Sequence, residues 1–165
     1  MIYLFTGYPL SGKSTFAKRW ATYKDCGYFS SGRYAREHGM GEVQGDLSLA
    51  MNSRINTRVL KLVDIFDELV IDGWPRSVEQ ALLMDSVGKK YTTLFFTVNP
   101  LIARQRMLDR NREDDFIEEV ENRTKAMVLL HTKLKDIMGH HIVTISGDTT
   151  TEEHVSWLEE FLVSL

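Results

Sequence analysis

Gly7-Tyr8-Pro9-Leu10-Ser11-Gly12-Lys13-Ser14 matches the pattern G-x-x-x-x-G-K-[ST], and Thr15 follows it. In such a loop, backbone N–H groups at a helix start offer donors and a favourable dipole to a polyphosphate, and glycines let the backbone come close. The pattern assigns Lys13 to the β- and γ-phosphates of a nucleoside triphosphate and the Ser14 hydroxyl to its magnesium ion. The lysine charge is expected to face solvent when no nucleotide is bound. The plainer reading is a glycine-rich turn with a chance lysine.

Asp72 closes the apolar run Leu69-Val70-Ile71, at the strand end where open parallel sheets bind ligands. A carboxylate there can hold magnesium directly or through water, or simply cap the next turn; beside the phosphate loop, the metal role is preferred. Arg76 lies four residues beyond Asp72, and Arg106 and Arg110 are four apart on one helix face, with Arg112 and Arg123 after them. Bringing two phosphorylated molecules together requires fixed cations, and the planar guanidinium binds phosphate through two parallel hydrogen bonds. The competing reading is a solvated surface on which Asp109, Glu113, Asp114, Asp115 and Glu118 pair with these arginines.

These residues need elements to hold them. Ile2 to Phe5 reads as a buried strand, and Phe16, Ala17, Trp20 and Ala21 recur at helical spacing from Ser14 onward. Further strands are expected at Leu69–Ile71, Thr93–Val98 and Ile142–Ile145. Helices are expected over Met51–Phe66, around Val78, Ala81 and Leu82, and from about Phe116 to Met138. Strands alternating with helices imply a parallel sheet covered on both faces. Asp115 with Glu118 and Thr150 with Glu153 mark two helix starts, and Gly139 marks a stop. Trp157, Leu158, Phe161 and Leu162 read as a helix face covering the sheet.

Length and composition bound the rest. A chain of 165 residues fits one domain, and a net charge of −3 gives no global pull toward nucleic acid or anionic membrane, so any polyanion site must be local. No apolar run is long enough for a bilayer, and the N-terminus lacks a signal-peptide pattern. One cysteine, Cys26, excludes an internal disulfide or a cysteine-based zinc site and fits a cytoplasmic protein. His140 and His141 adjoin Gly139 in an expected solvated loop.

Taken together, Gly7–Ser14, the stretch Leu69-Val-Ile-Asp-Gly-Trp-Pro-Arg-Ser-Val-Glu-Gln-Ala81, Arg106-x-x-x-Arg110, Arg112-Glu-Asp-Asp115 and Arg123 resemble the adenylate kinase-like family of nucleoside monophosphate kinases. The resemblance spans nearly the whole chain. It implies a P-loop NTPase fold of the α/β class, three-layer α/β/α, with a five-stranded parallel sheet, a small NMP-binding arm (about 30–58) and a minimal lid (107–116), all in one domain over 1–165. It implies magnesium-dependent transfer of the γ-phosphoryl of ATP to a nucleoside monophosphate, AMP-type first, by a monomer acting on no nucleic acid and no membrane. Catalysis then rests on Lys13, Arg76, Arg110, Arg112 and Arg123. ATP is implied to lie on Gly7 to Thr15, with Arg106 beside its base and Gly147 wrapped around the adenine. The acceptor is implied to meet Ser31, Arg36, Gly73, Arg76 and Gln80, the last reading the base. Ser14 and Asp72 are implied to serve the metal.

Some positions depart from the family pattern. Arg33 stands where the family has an acid, Ser31 replaces a threonine and Trp74 a phenylalanine; the first two are expected to touch the acceptor site. Only Asn111 separates Arg110 from Arg112, which leaves a lid close to a bare turn. UMP, CMP and deoxynucleotides therefore stand as alternative acceptors. A P-loop kinase acting on a polynucleotide end or small metabolite, and a nucleotide-binding regulator without turnover, are the more distant readings.

Overall fold

The computed structural model describes residues 1–39, 48–110, 117–148 and 152–164. The described residues form one five-stranded, wholly parallel sheet in the order β2-β3-β1-β4-β5. Its strands are β1 (Ile2–Gly7), β2 (Gly27–Ser30), β3 (Leu69–Asp72), β4 (Tyr91–Thr97) and β5 (Ile142–Ser146). Helices α1 (Lys13–Lys24), α2 (Ser31–Glu37), α3 (Leu49–Ile65), α4 (Val78–Ser86), α5 (Pro100–Arg110), α6 (Ile117–Met138) and α7 (Glu152–Val163) connect or flank them.

Alternation along the buried strands divides the core in two. On β1, Ile2 and Leu4 join β3's Leu69 and Ile71 and β4's Phe95 beneath α3, α4 and α6; Met51, Ile55, Val59, Met84 and Leu134 complete that layer. Tyr3 and Phe5 point the other way, toward Phe16, Ala17 and Trp20 of α1 and Leu162 of α7. The sheet is thus covered on both faces, and its carboxyl edge collects the ends of β1, β2 and β3.

Most elements form where the hydrophobic periods place them. The edge strand β2 was not legible: four half-buried residues are too short for any period to emerge. Within α4 the buried face is Gln80, Ala81 and Met84, while Leu82 is half exposed. Gly139, at a φ of +52°, ends α6 as expected. Asp115 and Thr150, expected as caps, lie outside the described residues. Trp157 is 50% exposed and stacks on Phe161, which packs against the core beside the buried Leu162; the Leu158 side chain lies outside the described residues. Among the described residues, no helix is long and apolar enough to cross a membrane.

Candidate active site

The phosphate loop leaves the end of the central strand. Gly7 has a φ of +126°, and a Cβ there would fall 2.1 Å from the Phe96 carbonyl oxygen, so only glycine lets β1 end against β4. The loop turns through Leu10 (φ +61°) and Gly12 (φ +85°), and Gly12 caps α1 without a side chain, which leaves first-turn N–H groups of the helix for an anion. Ser11, fully buried, donates from Oγ to the Tyr8 carbonyl at 2.8 Å. Lys13 Nζ donates to the same carbonyl at 3.2 Å. The ammonium is therefore folded back over the loop rather than facing solvent as expected. Thr15, in the first turn, donates its N–H to the Gly12 carbonyl at 3.0 Å.

Asp72, 3% exposed, is the hub beside this loop. Its Oδ1 accepts from Ser14 Oγ at 3.1 Å, and its Oδ2 accepts from Tyr28 OH at 3.1 Å and Ser30 Oγ at 3.2 Å. Tyr28 and Ser30 are site residues that the sequence reading missed. They lie two apart on β2, so recognising that strand would have placed both on one face. Burial and the Asp72 carboxylate hold the Tyr28 hydroxyl well above its ordinary pKa, so it stays a proton donor. A hydroxyl and a carboxylate in contact form a hard-oxygen donor set that fits magnesium, whose remaining ligands come from phosphates and water. Among the described residues, no group of three His, Cys, Asp or Glu is placed to hold a metal ion.

A second cradle forms around Gly73. Its carbonyl accepts from Ser31 Oγ and Arg76 Nε, each at 2.7 Å. Its φ is +78°, and a Cβ would fall 2.8 Å from Ser31 Oγ and 2.9 Å from Arg76 Nη2. Across the cradle, Gly32 brings Arg36 Nη1 and Arg76 Nη2 to within 3.4 Å of one point. Thr6 Oγ1 anchors the turn from below by donating to the Pro75 carbonyl at 2.6 Å. Gln80, 3% exposed, engages both amide ends within the protein: Oε1 accepts from the Arg76 N–H at 2.7 Å, and Nε2 donates to Asn56 Oδ1 at 3.0 Å.

Arg33 does not join this cradle. Its guanidinium pairs with Glu37 at 2.7 Å on the exposed side of α2. Arg33, Tyr34 and Arg58 help line an open cleft of about 470 Å³ that also takes in Tyr28 and Ser30, the two partners of Asp72.

The cations nearest the loop act on one another. Burial pulls the Lys13 pKa down to about 8; Asp72 opposes the shift, and Arg76, Arg110 and Arg123 add to it. Burial, then Arg123, draws Arg76 below the ordinary guanidinium value, with Asp72 opposing and Arg36 adding. Arg76 is exposed to solvent beside the Gly73 carbonyl that holds its Nε. Arg123 Nε is buried without a hydrogen-bond partner, and its Nη2 lies 3.8 Å from Glu119. Arg106 Nη1 donates to the Leu10 carbonyl at 3.0 Å, spanning the loop from α5. Gly147 packs so closely behind it that a Cβ would fall 2.0 Å from the Ser11 carbonyl oxygen. Arg112, with residues 111–116 of the expected lid, lies outside the described residues.

A lysine, an aspartate and arginines from four segments thus meet beside a glycine-rich loop. No protein-family model matches the chain. Curated adenylate kinases do. That of Helicobacter hepaticus is 30% identical over 186 aligned positions, covering 98% of this chain and 96% of the relative. That of Wolinella succinogenes is 30% identical over 188, covering 99% and 97%. The chain belongs to the adenylate kinase-like family of nucleoside monophosphate kinases. It is therefore a kinase, a phosphotransferase. Both alignments are longer than the chain's 165 residues, so this family member is shorter than those relatives over the matched span. Among solved structures, shikimate kinase from Bacteroides thetaiotaomicron superposes with a TM-score of 0.71 over 99% of this chain and 98% of that one. At 16% identity, that likeness speaks for the P-loop fold alone.

Proposed function

We propose that the protein transfers the γ-phosphoryl of ATP to a nucleoside or deoxynucleoside monophosphate, AMP-type first, giving ADP and the corresponding diphosphate. The observation that carries this reading is a pair of neighbouring cradles: the glycine loop over which Lys13 folds, tied to Asp72 through Ser14, and the Gly73 carbonyl that gathers Ser31 and Arg76, with Arg76, Arg110 and Arg123 near enough to Lys13 to act on its charge. Like charges held this close destabilise the empty site and become favourable when phosphates lie between them.

In this reading the ATP phosphates lie on Gly7 to Thr15 with Lys13 beside them, and Arg106 and Gly147 bound the nucleoside end. The acceptor phosphate sits in the Gly73 cradle between Ser31, Arg36 and Arg76. The Arg123 Nε, buried and unpartnered, is satisfied by the transferring group. A monophosphate oxygen is already an adequate nucleophile, so no general base is needed and catalysis consists of alignment plus charge stabilisation. Ser14 and Asp72 would hold magnesium, which would supply positive charge to offset that of the phosphates. Residues 30–58 serve as the acceptor arm and 107–116, with Arg112, as the lid of a single domain working as a cytoplasmic monomer. Incubation with Mg·ATP and every common NMP and dNMP, followed by separation of products, should yield diphosphate from AMP or a close relative. Diphosphate from no acceptor would end the proposal.

A further inference from the structure

Trp74 is fully buried, and its indole N–H can only donate. It finds its acceptor on α3, at Asn56 Oδ1, 3.1 Å away. The same oxygen accepts from Gln80 Nε2 at 3.0 Å, and Gln80 Oε1 accepts from the Arg76 backbone N–H at 2.7 Å. The chain of bonds therefore begins and ends on groups that can only donate. Turning the Asn56 amide over would set its NH2 against two donors; turning Gln80 over would set donor against donor at Arg76 and acceptor against acceptor at Asn56. Both amides are held in one orientation, and the backbone of Gln80 is fixed too, its N–H bonded to the Ser77 cap at 3.2 Å.

Resting on the acceptor reading above, we infer that Asn56 is a positioning residue that locks the Gln80 amide and thereby sets which class of acceptor base the site takes. Each amide has two N–H groups and two lone pairs. After the internal bonds are made, Gln80 keeps one N–H and one lone pair as an adjacent donor and acceptor. Adenine and cytosine present an amino donor beside a ring-nitrogen acceptor; guanine, uracil and thymine present an oxo acceptor beside a ring N–H. A freely turning amide matches either class by rotating half a turn, whereas a locked one matches only one. Selection between amino-bearing and oxo-bearing monophosphates then depends on Asn56, which itself touches no base.

The test compares Asn56→Leu, which removes the acceptor, with Asn56→Asp, which keeps an oxygen facing both N–H groups. Asn56→Leu should collapse the kcat/KM ratio between amino- and oxo-bearing acceptors by about tenfold or more, through acceptor KM and with the KM for ATP unchanged. Asn56→Asp should restore most of the wild-type ratio. A folded Asn56→Leu enzyme that keeps its ratio, or a wild type with no base preference, overturns the inference. Should Asn56→Leu fail to fold, Gln80→Glu decides. That change replaces the Nε2 donor with an acceptor, so Asn56 must turn and Trp74 must lose its partner. The Trp74 indole N–H resonance, assigned by its loss in Trp74→Phe, should shift markedly, and an unmoved signal refutes the lock. A wild type that phosphorylates no monophosphate sinks the functional reading and base selection with it, while the resonance still reports separately on the lock.

Discussion

Burial, with Arg76, Arg110 and Arg123 adding and Asp72 opposing, pulls the Lys13 pKa down to about 8. Binding a triphosphate places several negative charges beside that ammonium, and an opposite charge at such range raises a pKa by roughly 1–3 units. Binding must then take up a proton wherever Lys13 is partly neutral in the free protein: about 0.5 per nucleotide at pH 8 and about 0.1 at pH 7. Isothermal titration in buffers of different ionisation enthalpy reads this number as the slope of observed enthalpy against buffer enthalpy. Lys13→Arg, which stays charged throughout, provides the baseline for protons gained or lost by the nucleotide itself. The difference between wild type and Lys13→Arg should be about fivefold larger at pH 8 than at pH 7. Equal slopes for the two proteins at pH 8 would refute the depressed Lys13 pKa that burial and the neighbouring arginines together produce. The same shift has a sign for stability. Between about pH 8 and the ordinary lysine value the unfolded chain holds more protons at Lys13 than the fold does, so this group makes the empty fold more stable as pH rises through that window.

Other perturbations separate the parts. Arg76→Ala should cost about 10³-fold or more in kcat, the scale of a missing transition-state arginine, while circular dichroism shows a folded protein; near wild-type turnover would remove Arg76 from the mechanism. Gly147→Ala forces a methyl group to within 2.0 Å of the Ser11 carbonyl oxygen, so the phosphate loop must shift. Its KM for ATP should rise at least tenfold with little change in acceptor KM, because the Gly73 cradle is untouched; the reverse pattern would contradict the placement. With only Asn111 between Arg110 and Arg112, the chain should hydrolyse ATP measurably without acceptor. A release of phosphate no faster than that of a long-lid relative would count against a trimmed lid.

The phosphate loop, Asp72 and the arginines were legible because their chemistry demands particular side chains at fixed spacing, and the long apolar runs of β1, β3 and β4 announced the sheet. What escaped was whatever depends on partners distant in sequence. Tyr28 and Ser30 reach Asp72 only because a four-residue edge strand pairs with β3 in the register Ser30↔Asp72. Asn56 is an unremarkable polar residue in α3 until Trp74 and Gln80 are seen to share its oxygen. Lys13 folds onto the Tyr8 carbonyl, a bond that the loop's sequence pattern does not announce. The Arg33–Glu37 pair, one helical turn apart, depends on α2 forming at all.

The central claim is that Lys13, Arg76, Arg110 and Arg123 bound a single cleft in which donor and acceptor phosphates meet. A compound with two nucleosides joined by five phosphates spans both cradles at once, so its titration is the most direct test. The account predicts one molecule per chain, bound far more tightly than ATP or the monophosphate, displaced by either, and weakened by Arg76→Ala. Two molecules per chain, or displacement by ATP alone, would mean that the two phosphate sites do not share a cleft.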